Sequence, residues 1–186
     1  PIGSGADEYA SVDLGWIPLQ TGNHTISVFL PPATSLESLQ ISPPCLNPIE
    51  PENLRDLQRR VVEAGADLGL AFDGDADRCF VVDERGRAVS PSTVTALIAA
   101  RELAKEPGAT IIHNLITSRS VPEIVRERGG VPVRTRVGHS FIKATMAETD
   151  AVFGGEHSGH FYFRDFWRAD SGMLAALHVL AAAAES

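Results

Sequence analysis

Residues 68–83 read LGLAFDGDADRCFVVD, two apolar runs of five residues around a six-residue polar loop. Runs this short and this apolar suit buried strands better than helices, so Leu68–Phe72 and Cys79–Asp83 are predicted as strands. The loop DGDADR between them is too polar for a core. Upstream, Pro51 suits a first helical turn, Leu54, Leu57 and Val61 recur at helical spacing, and Gly65 can close the helix. Downstream, ERGR makes a turn before Pro91.

Beyond Pro91 the elements alternate. The pattern predicts a helix capped by Ser92, a strand at 110–116 (TIIHNLI) and a helix from about Ser120 with Pro122 in its first turn. Strand VPVRTRV (131–137), helix SFIKATMAE (140–148) and strand DAVFGG (150–155) follow, then a helix opened by Ser171 with Met173, Leu177 and Leu180 on one face. Alternating strands and helices imply a layered α/β fold, and the shift in pattern places a boundary near residue 90. Residues 1–46 hold no sustained period. Within them only short β patterns such as TISVFL, 25–30, stand out, bounded by Gly22 and the Pro31–Pro32 pair.

Composition narrows the classes. A chain of 186 residues excludes a complete (β/α)₈ barrel of about 250 residues, and 44% apolar residues suffice for a core. A formal charge of −8 argues against a nucleic-acid partner held by phosphate contacts. Cys45 and Cys79 are too few for a disulfide framework and lack zinc-ligand spacing, which favours a reducing, cytoplasmic setting. No apolar run approaches the roughly 20 residues of a membrane span, and the start, PIGSGADEYA, has no signal-peptide pattern. A membrane partner is not expected. Pro1 and the apolar helical pattern running to Ser186 make both ends look cut, as in a piece of a longer protein.

Three loops can carry chemistry. Asp73, Asp75 and Asp77 stand at i, i+2 and i+4, where an extended backbone turns alternate side chains to one side. Carboxylates so close repel unless a cation holds them, and all-oxygen ligation suits Mg²⁺ or Ca²⁺. An acidic solvated turn is the bland alternative. An EF-hand fails because Arg78 occupies the glycine position and the flanks are strands. The second loop, Gly154 to His160, offers Glu156 as an acceptor for paired hydroxyls, Ser158 as a hydroxyl and His160 as a proton-transfer group. The third, Arg134 to Ser140, places Arg136, Gly138 and His139 at a helix opening that suits phosphate. Lys143 reads as a surface lysine, Cys79 as core, and His24, His113 and His178 as structural histidines.

Together these loops resemble the α-D-phosphohexomutase family, most closely its phosphomannomutase/phosphoglucomutase branch. DGDADR is similar to the family's DGDGDR metal loop, GEHSGH to its GEMSGH-type sugar loop, and RVGHSFIK to its K/R-x-G-H-S-x-I-K stretch. The resemblance implies layered mixed-sheet domains of the phosphohexomutase type. One is partial (47–90, the latter half of the second domain) and one near-complete (91–186, the third), with 1–46 unassigned. It also implies a Mg²⁺-dependent mutase that moves phosphate between the C1 and C6 oxygens of mannose or glucose through a phosphoserine.

Carried over, Asp73, Asp75 and Asp77 hold Mg²⁺, and Arg78 supports the transferring phosphate. Glu156 and Ser158 grip the sugar, Arg136, Gly138 and His139 face substrate, and His160 moves a proton. The phosphoserine loop (T-A-S-H-N-P type) and the phosphate loop (R-x-S-G-T-E-P type), which belong to the family's first and fourth domains, do not occur in the chain, nor does the D-x-G-N-G opening of the second. The chain by itself is therefore expected to be inactive. A non-catalytic phosphosugar or cation-binding module and a phosphoglucosamine mutase are the alternatives. Ala76 and His157 depart from the family's usual Gly and Met.

Overall fold

The computed structural model describes residues 48–185 in full and, as backbone strands only, residues 10–19, 22–30 and 39–41. Those strands are β1 (Ala10–Leu19), β2 (Gly22–Leu30) and β3 (Leu39–Ile41); β1 and β2 form an antiparallel pair, and TISVFL falls in β2. Asn47, Cys45, Pro31 and Pro32 lie outside the described residues, as does the side chain of His24.

The first full unit follows the sequence closely. Helix α1 (Pro51–Ala64) starts with proline in its first turn and ends at Gly65, whose φ of 63° lets its N–H return to the Val61 and Val62 carbonyls. Strands β4 (Leu68–Phe72), β5 (Cys79–Asp83) and β6 (Ala88–Val89) join β3 in a four-stranded sheet of order β3-β4-β5-β6. Strand β3 runs parallel to β4, and the other pairs are antiparallel. Period-two alternation sends Ala71, Phe80 and Val82 against Leu54, Leu57 and Val61 of α1. Leu68, Leu70, Phe72, Cys79 and Val81 face the opposite way, into the larger core. Covering both faces explains why LGLAF and CFVVD are apolar without alternation.

The second unit contributes helices α2 (Pro91–Lys105), α3 (Ser120–Glu127), α4 (His139–Thr149) and α5 (Gly172–Ala184) and strands β7 (Thr110–Asn114), β8 (Val131–Thr135), β9 (Phe153–Gly155), β10 (Phe161–Phe163) and β11 (Ala169–Asp170). Its sheet runs β11-β10-β9-β7-β8, with β8 and β9 parallel to β7 and a β9-β10-β11 antiparallel meander at the other edge. The larger core belongs to both units: Val94, Ile98 and Ala99 of α2 and Ala175, Ala176, Val179 and Leu180 of α5 pack with the inner faces of β4, β5, β7, β9 and β10. The remaining face of the second sheet, through Ile112 and Tyr162, meets Ile142 and Met146 of α4. Fully burying a side chain of this size stabilises by roughly 1.5–3 kcal/mol.

Several expectations are corrected. Helix α2 is capped by Ser90, whose side chain accepts from the Ser92 N–H, not by Ser92. The strand expected to reach residue 116 stops at Asn114, because Asn114 Oδ1 accepts from the Ile116 N–H and the Thr117 hydroxyl and turns the chain outward. Leu115 and Ile116 are consequently exposed. Strand β8 ends at Thr135, and β9 begins only at Phe153, after the left-handed Asp150 that closes α4. In α5 the buried stripe is Gly172, Ala175, Ala176, Val179 and Leu180; Leu177 is 45% exposed and Met173 only half-buried. The small alanines of α5 set that face by allowing close approach.

Candidate functional site

The DGDADR loop is bent rather than extended, with a turn over Asp73–Ala76 in which Ala76 N–H reaches the Asp73 carbonyl at 3.1 Å. Ala76 holds φ 57°, a left-handed conformation that glycine adopts at no cost, so the Ala for Gly departure carries a local penalty of roughly 1 kcal/mol. Three contacts fasten this loop to the second unit. Arg78 forms an antiparallel bridge with His160, the Cys79 N–H donates to the Gly159 carbonyl at 3.1 Å, and the Gly172 N–H donates to the Ala76 carbonyl at 3.0 Å. A Cβ on Gly172 would lie 2.4 Å from the Arg78 carbonyl oxygen, so the helix start packs directly on the loop backbone.

One oxygen from each of Asp73, Asp75 and Asp77 lies within 4.8 Å of the others. Asp73 is buried; its Oδ1 accepts from the Arg78 backbone N–H at 3.1 Å and its Oδ2 from Arg78 Nε. Burial alone would raise the Asp73 pKa, but the Arg78 hydrogen bonds outweigh it and hold the carboxyl below its ordinary range. Asp77 lacks the short contact with Arg78, whose Nε stands 3.9 Å from its Oδ1. Burial, then a hydrogen bond with Asp73, push it up to about 6 against the pull of His160. Among the described residues, its buried Oδ1 has no hydrogen-bond donor. An orphaned carboxylate oxygen beside two more carboxylates is the donor set that a hard divalent cation satisfies, so the residues present fit Mg²⁺.

His160, 12% exposed at its side chain, sits between this loop and a second polar cluster. Its Nδ1 lies 3.6 Å from Asp77 Oδ1 and 2.9 Å from Asp170 Oδ2. Asp170 stands opposite Tyr162 in the β10–β11 register and also meets His139 Nδ1 at 3.2 Å and Lys143 Nζ at 3.1 Å. Burial works against its charge, yet the hydrogen bonds from His160 and Lys143 keep its carboxyl far below the usual carboxylate range. The His139 and His160 rings meet edge to face at 4.3 Å.

Glu156 is 1% exposed and anchors the cluster from within. Its Oε1 accepts from Asn114 Nδ2 at 3.1 Å and the Gly138 N–H at 3.2 Å, and its Oε2 accepts from the Tyr162 hydroxyl at 2.8 Å. Burial, reinforced by Glu156, raises the Tyr162 pKa well above its ordinary value, so Tyr162 stays a neutral donor. Glu156 thus joins the end of β7, the opening of α4 and the α4-facing side of β10. The structure brings Asp73, Asp75, Asp77, Arg78, Gly138, His139, Glu156 and His160 into one connected region.

Ser158, half-buried, lies on the same loop as Glu156. Arg136 is placed apart, stacked over the Phe141 ring at 3.9 Å. His157 turns its Nδ1 to Ser92 Oγ at 3.1 Å and lines an apolar groove of about 340 Å³ with Leu54, Phe80 and Pro91. Cys79 and His113 are buried, and His178 stacks on Phe163 near Glu102.

Sequence reasoning missed Asn114, Tyr162 and Asp170; Lys143, read as a surface lysine, is 42% exposed at its side chain but also pairs with Asp170. The signals were present. His139 and Lys143 are four apart at the start of one helix, which puts them on one face, and His160, just before β10, is two residues from Tyr162 in it.

Comparison with known proteins gives consistent matches. A family model described as phosphoglucomutase/phosphomannomutase, alpha/beta/alpha domain III, matches residues 91–186, and the corresponding domain II model matches 36–86. A phosphomannomutase of Escherichia coli is 47% identical over 133 residues, covering 72% of this chain and 29% of that protein. One from Vibrio cholerae is 48% identical over 128 residues, covering 69% and 28%. Among solved structures, a phosphoglucomutase/phosphomannomutase family protein from Burkholderia thailandensis superposes with a TM-score of 0.69 at 39% identity, over 72% of this chain and 30% of that one. The chain spans about three-tenths of the length of the curated relatives it matches. No helix among the described residues is long and apolar enough to cross a membrane.

Proposed function

Because the chain belongs to the phosphoglucomutase/phosphomannomutase family, we propose that it forms the central part of a mutase moving a phosphoryl group between the C1 and C6 oxygens of a hexose phosphate. Residues 47–90 and 91–186 are then the latter half of the second domain and a near-complete third domain, a reading that the two family-model matches support. One observation carries the functional proposal: the Arg78–His160 bridge joins the acidic loop to the GEHSGH loop, so a cation-binding set and a proton-transfer group share one site.

Asp73, Asp75 and Asp77 are the residues that would hold Mg²⁺. When bound, the ion neutralises charge on the phosphoryl group being transferred. Arg78, whose side chain is 21% exposed, supplies fixed positive charge beside the carboxylates, and Asp73 holds its Nε in place. His160 takes the proton of the accepting sugar hydroxyl and returns it to the oxygen that loses phosphate. Ser158 addresses sugar hydroxyls from the half-buried part of the loop. Glu156 reaches a hydroxyl only by exchanging one of its present donors for it, so its first duty is to fasten the loops. Gly138 and His139, with Arg136, lie at the opening of α4, a helix start whose dipole suits a phosphate.

The test is a coupled assay of the intact protein with mannose 1-phosphate, glucose 1-phosphate and N-acetylglucosamine 1-phosphate, each with Mg²⁺ and a bisphosphate primer. Turnover of mannose or glucose 1-phosphate, abolished by Asp75→Asn, is expected. Residues 1–186 alone, lacking a phosphoserine loop, should be inactive. Hexose phosphate binding by the intact protein without any turnover would favour a non-catalytic module instead.

A further inference from the structure

The mutase reading gives His160 a proton to move but says nothing of how its ring is held. Among the described residues, the titratable or charged groups facing it are Asp77 and Arg78 from the acidic loop, His139 and Lys143 from α4, Tyr162 from β10 and Asp170 from β11. Among the described residues, only Asp170 makes a short, direct contact with a ring nitrogen, at 2.9 Å. We propose, resting on that reading, that Asp170 is the positioning residue of the site, fixing His160 with its proton on Nδ1 and leaving Nε2 as the atom that exchanges a proton with substrate.

The hydrogen-bond inventory supports this assignment. Asp170 Oδ2 is an acceptor, so the His160 Nδ1 facing it must carry the hydrogen. Asp170 Oδ1 is held by Lys143 Nζ at 3.1 Å, which prevents the carboxylate from rotating away. The same reasoning extends to His139. Tyr162 has a single hydroxyl hydrogen and gives it to Glu156 Oε2, so the contact of 3.0 Å between Tyr162 and His139 Nδ1 requires the histidine to donate. That Nδ1 also lies 3.2 Å from Asp170 Oδ2. Asp170 Oδ2 therefore accepts the Nδ1 hydrogen of His160, while the His139 ring, edge to face with it, gives its own Nδ1 hydrogen to Tyr162 and stands beside the same carboxylate. When His160 accepts a proton on Nε2, the imidazolium that forms is stabilised by a charge already in place, so no reorganisation is needed at that moment. The carboxylate itself need not be protonated at any step.

The arrangement was not evident as a motif because its members are scattered. His139 and Lys143 open α4, His160 precedes β10, and Asp170 closes β11 immediately before the Ser171 cap of α5. They converge because the β10–β11 register places Asp170 opposite Tyr162, beside the face His160 shares.

The experiment uses the intact protein labelled with ¹⁵N in histidine, with His160 assigned through His160→Gln. Long-range proton–nitrogen spectra at about pH 8, above the ordinary imidazole range, report which ring nitrogen carries hydrogen. The wild type should show His160 protonated on Nδ1. Asp170→Asn can turn its amide N–H toward Nδ1, so the opposite tautomer should gain population. In the coupled assay kcat should fall roughly 10²- to 10⁴-fold while KM stays within about threefold, and Asp170→Glu should recover part of the loss. A wild-type His160 protonated on Nε2 overturns the proposal even if Asp170→Asn cannot be purified folded. So does an Asp170→Asn enzyme with kcat within about threefold of wild type. The spectrum needs no turnover. An inactive protein with the expected tautomer would sink the mutase reading alone, and an active one with the wrong tautomer would sink this inference alone.

Discussion

Replacing Gly172 with alanine probes the joint on which the site depends. The added Cβ would lie 2.4 Å from the Arg78 carbonyl oxygen, 2.6 Å from its carbon and 2.8 Å from the Ala76 oxygen. These are backbone atoms, held by the Cys79–Gly159 and Gly172–Ala76 hydrogen bonds, so no side chain can swing aside. Normal contact requires about 1 Å of separation between the start of α5 and the loop. Forced overpacking of this kind costs roughly 1–3 kcal/mol, and stretching the Gly172–Ala76 hydrogen bond adds about 1 kcal/mol. The helix propensity of alanine returns at most about 1 kcal/mol. The net expectation is a loss of about 1–4 kcal/mol in urea unfolding followed by far-ultraviolet circular dichroism, with weakened Mg²⁺ binding because Arg78 and Asp77 move with the loop. A Gly172→Ala protein within about 0.5 kcal/mol of wild type and with unchanged Mg²⁺ affinity would refute the close packing of α5 on this loop.

Three further outcomes follow from other contacts. Glu156→Gln should lose stability by roughly 1.5–3 kcal/mol, since an amide offers one accepting oxygen where three donors converge, whereas Ser158→Ala should leave stability unchanged and raise KM; unfolding curves beside steady-state kinetics check both. Mg²⁺ affinity, measured by calorimetry, should be weaker at about pH 5 than at pH 7.5, because a proton on Asp77, with its pKa near about 6, competes with the ion, and Asp77→Asn should abolish that pH dependence. His113 and His178 are both depressed below the ordinary imidazole value, chiefly by burial. Their neutral forms therefore favour the folded state fully above the unfolded value of about 6.5, and stability should fall as pH drops through and below it. Urea midpoints for wild type and His113→Gln across that range check the sign.

The legible parts of the fold were those where local pattern and tertiary environment agree. LGLAF and CFVVD read as buried strands because both faces of their sheet are covered, and Leu54, Leu57 and Val61 read as a helix face because α1 covers one side alone. The errors fall where a side chain redirects the backbone or small residues set a contact. Asn114 ends β7 through its own amide, and the alanines of α5 bury a stripe that a search for large apolar residues overlooks. At the site, residues within contiguous loops were visible as motifs. Asp170, Tyr162 and Lys143 were not, because their partnership exists only across a strand register and a helix face. Glu156 was recognised as important, yet its burial against three donors belongs to the fold and could not be read from GEHSGH.

The central claim is that the acidic loop and the GEHSGH loop form one cation-dependent site. Mn²⁺, a paramagnetic stand-in for Mg²⁺, tests it directly through amide relaxation in the intact protein. The geometry predicts selective broadening of residues 73–78 together with Gly159, His160 and Gly172, reversed by excess Mg²⁺ and lost in Asp75→Asn. Broadening that leaves residues 73–78 and 159–160 sharp, or that survives Asp75→Asn unchanged, would contradict it.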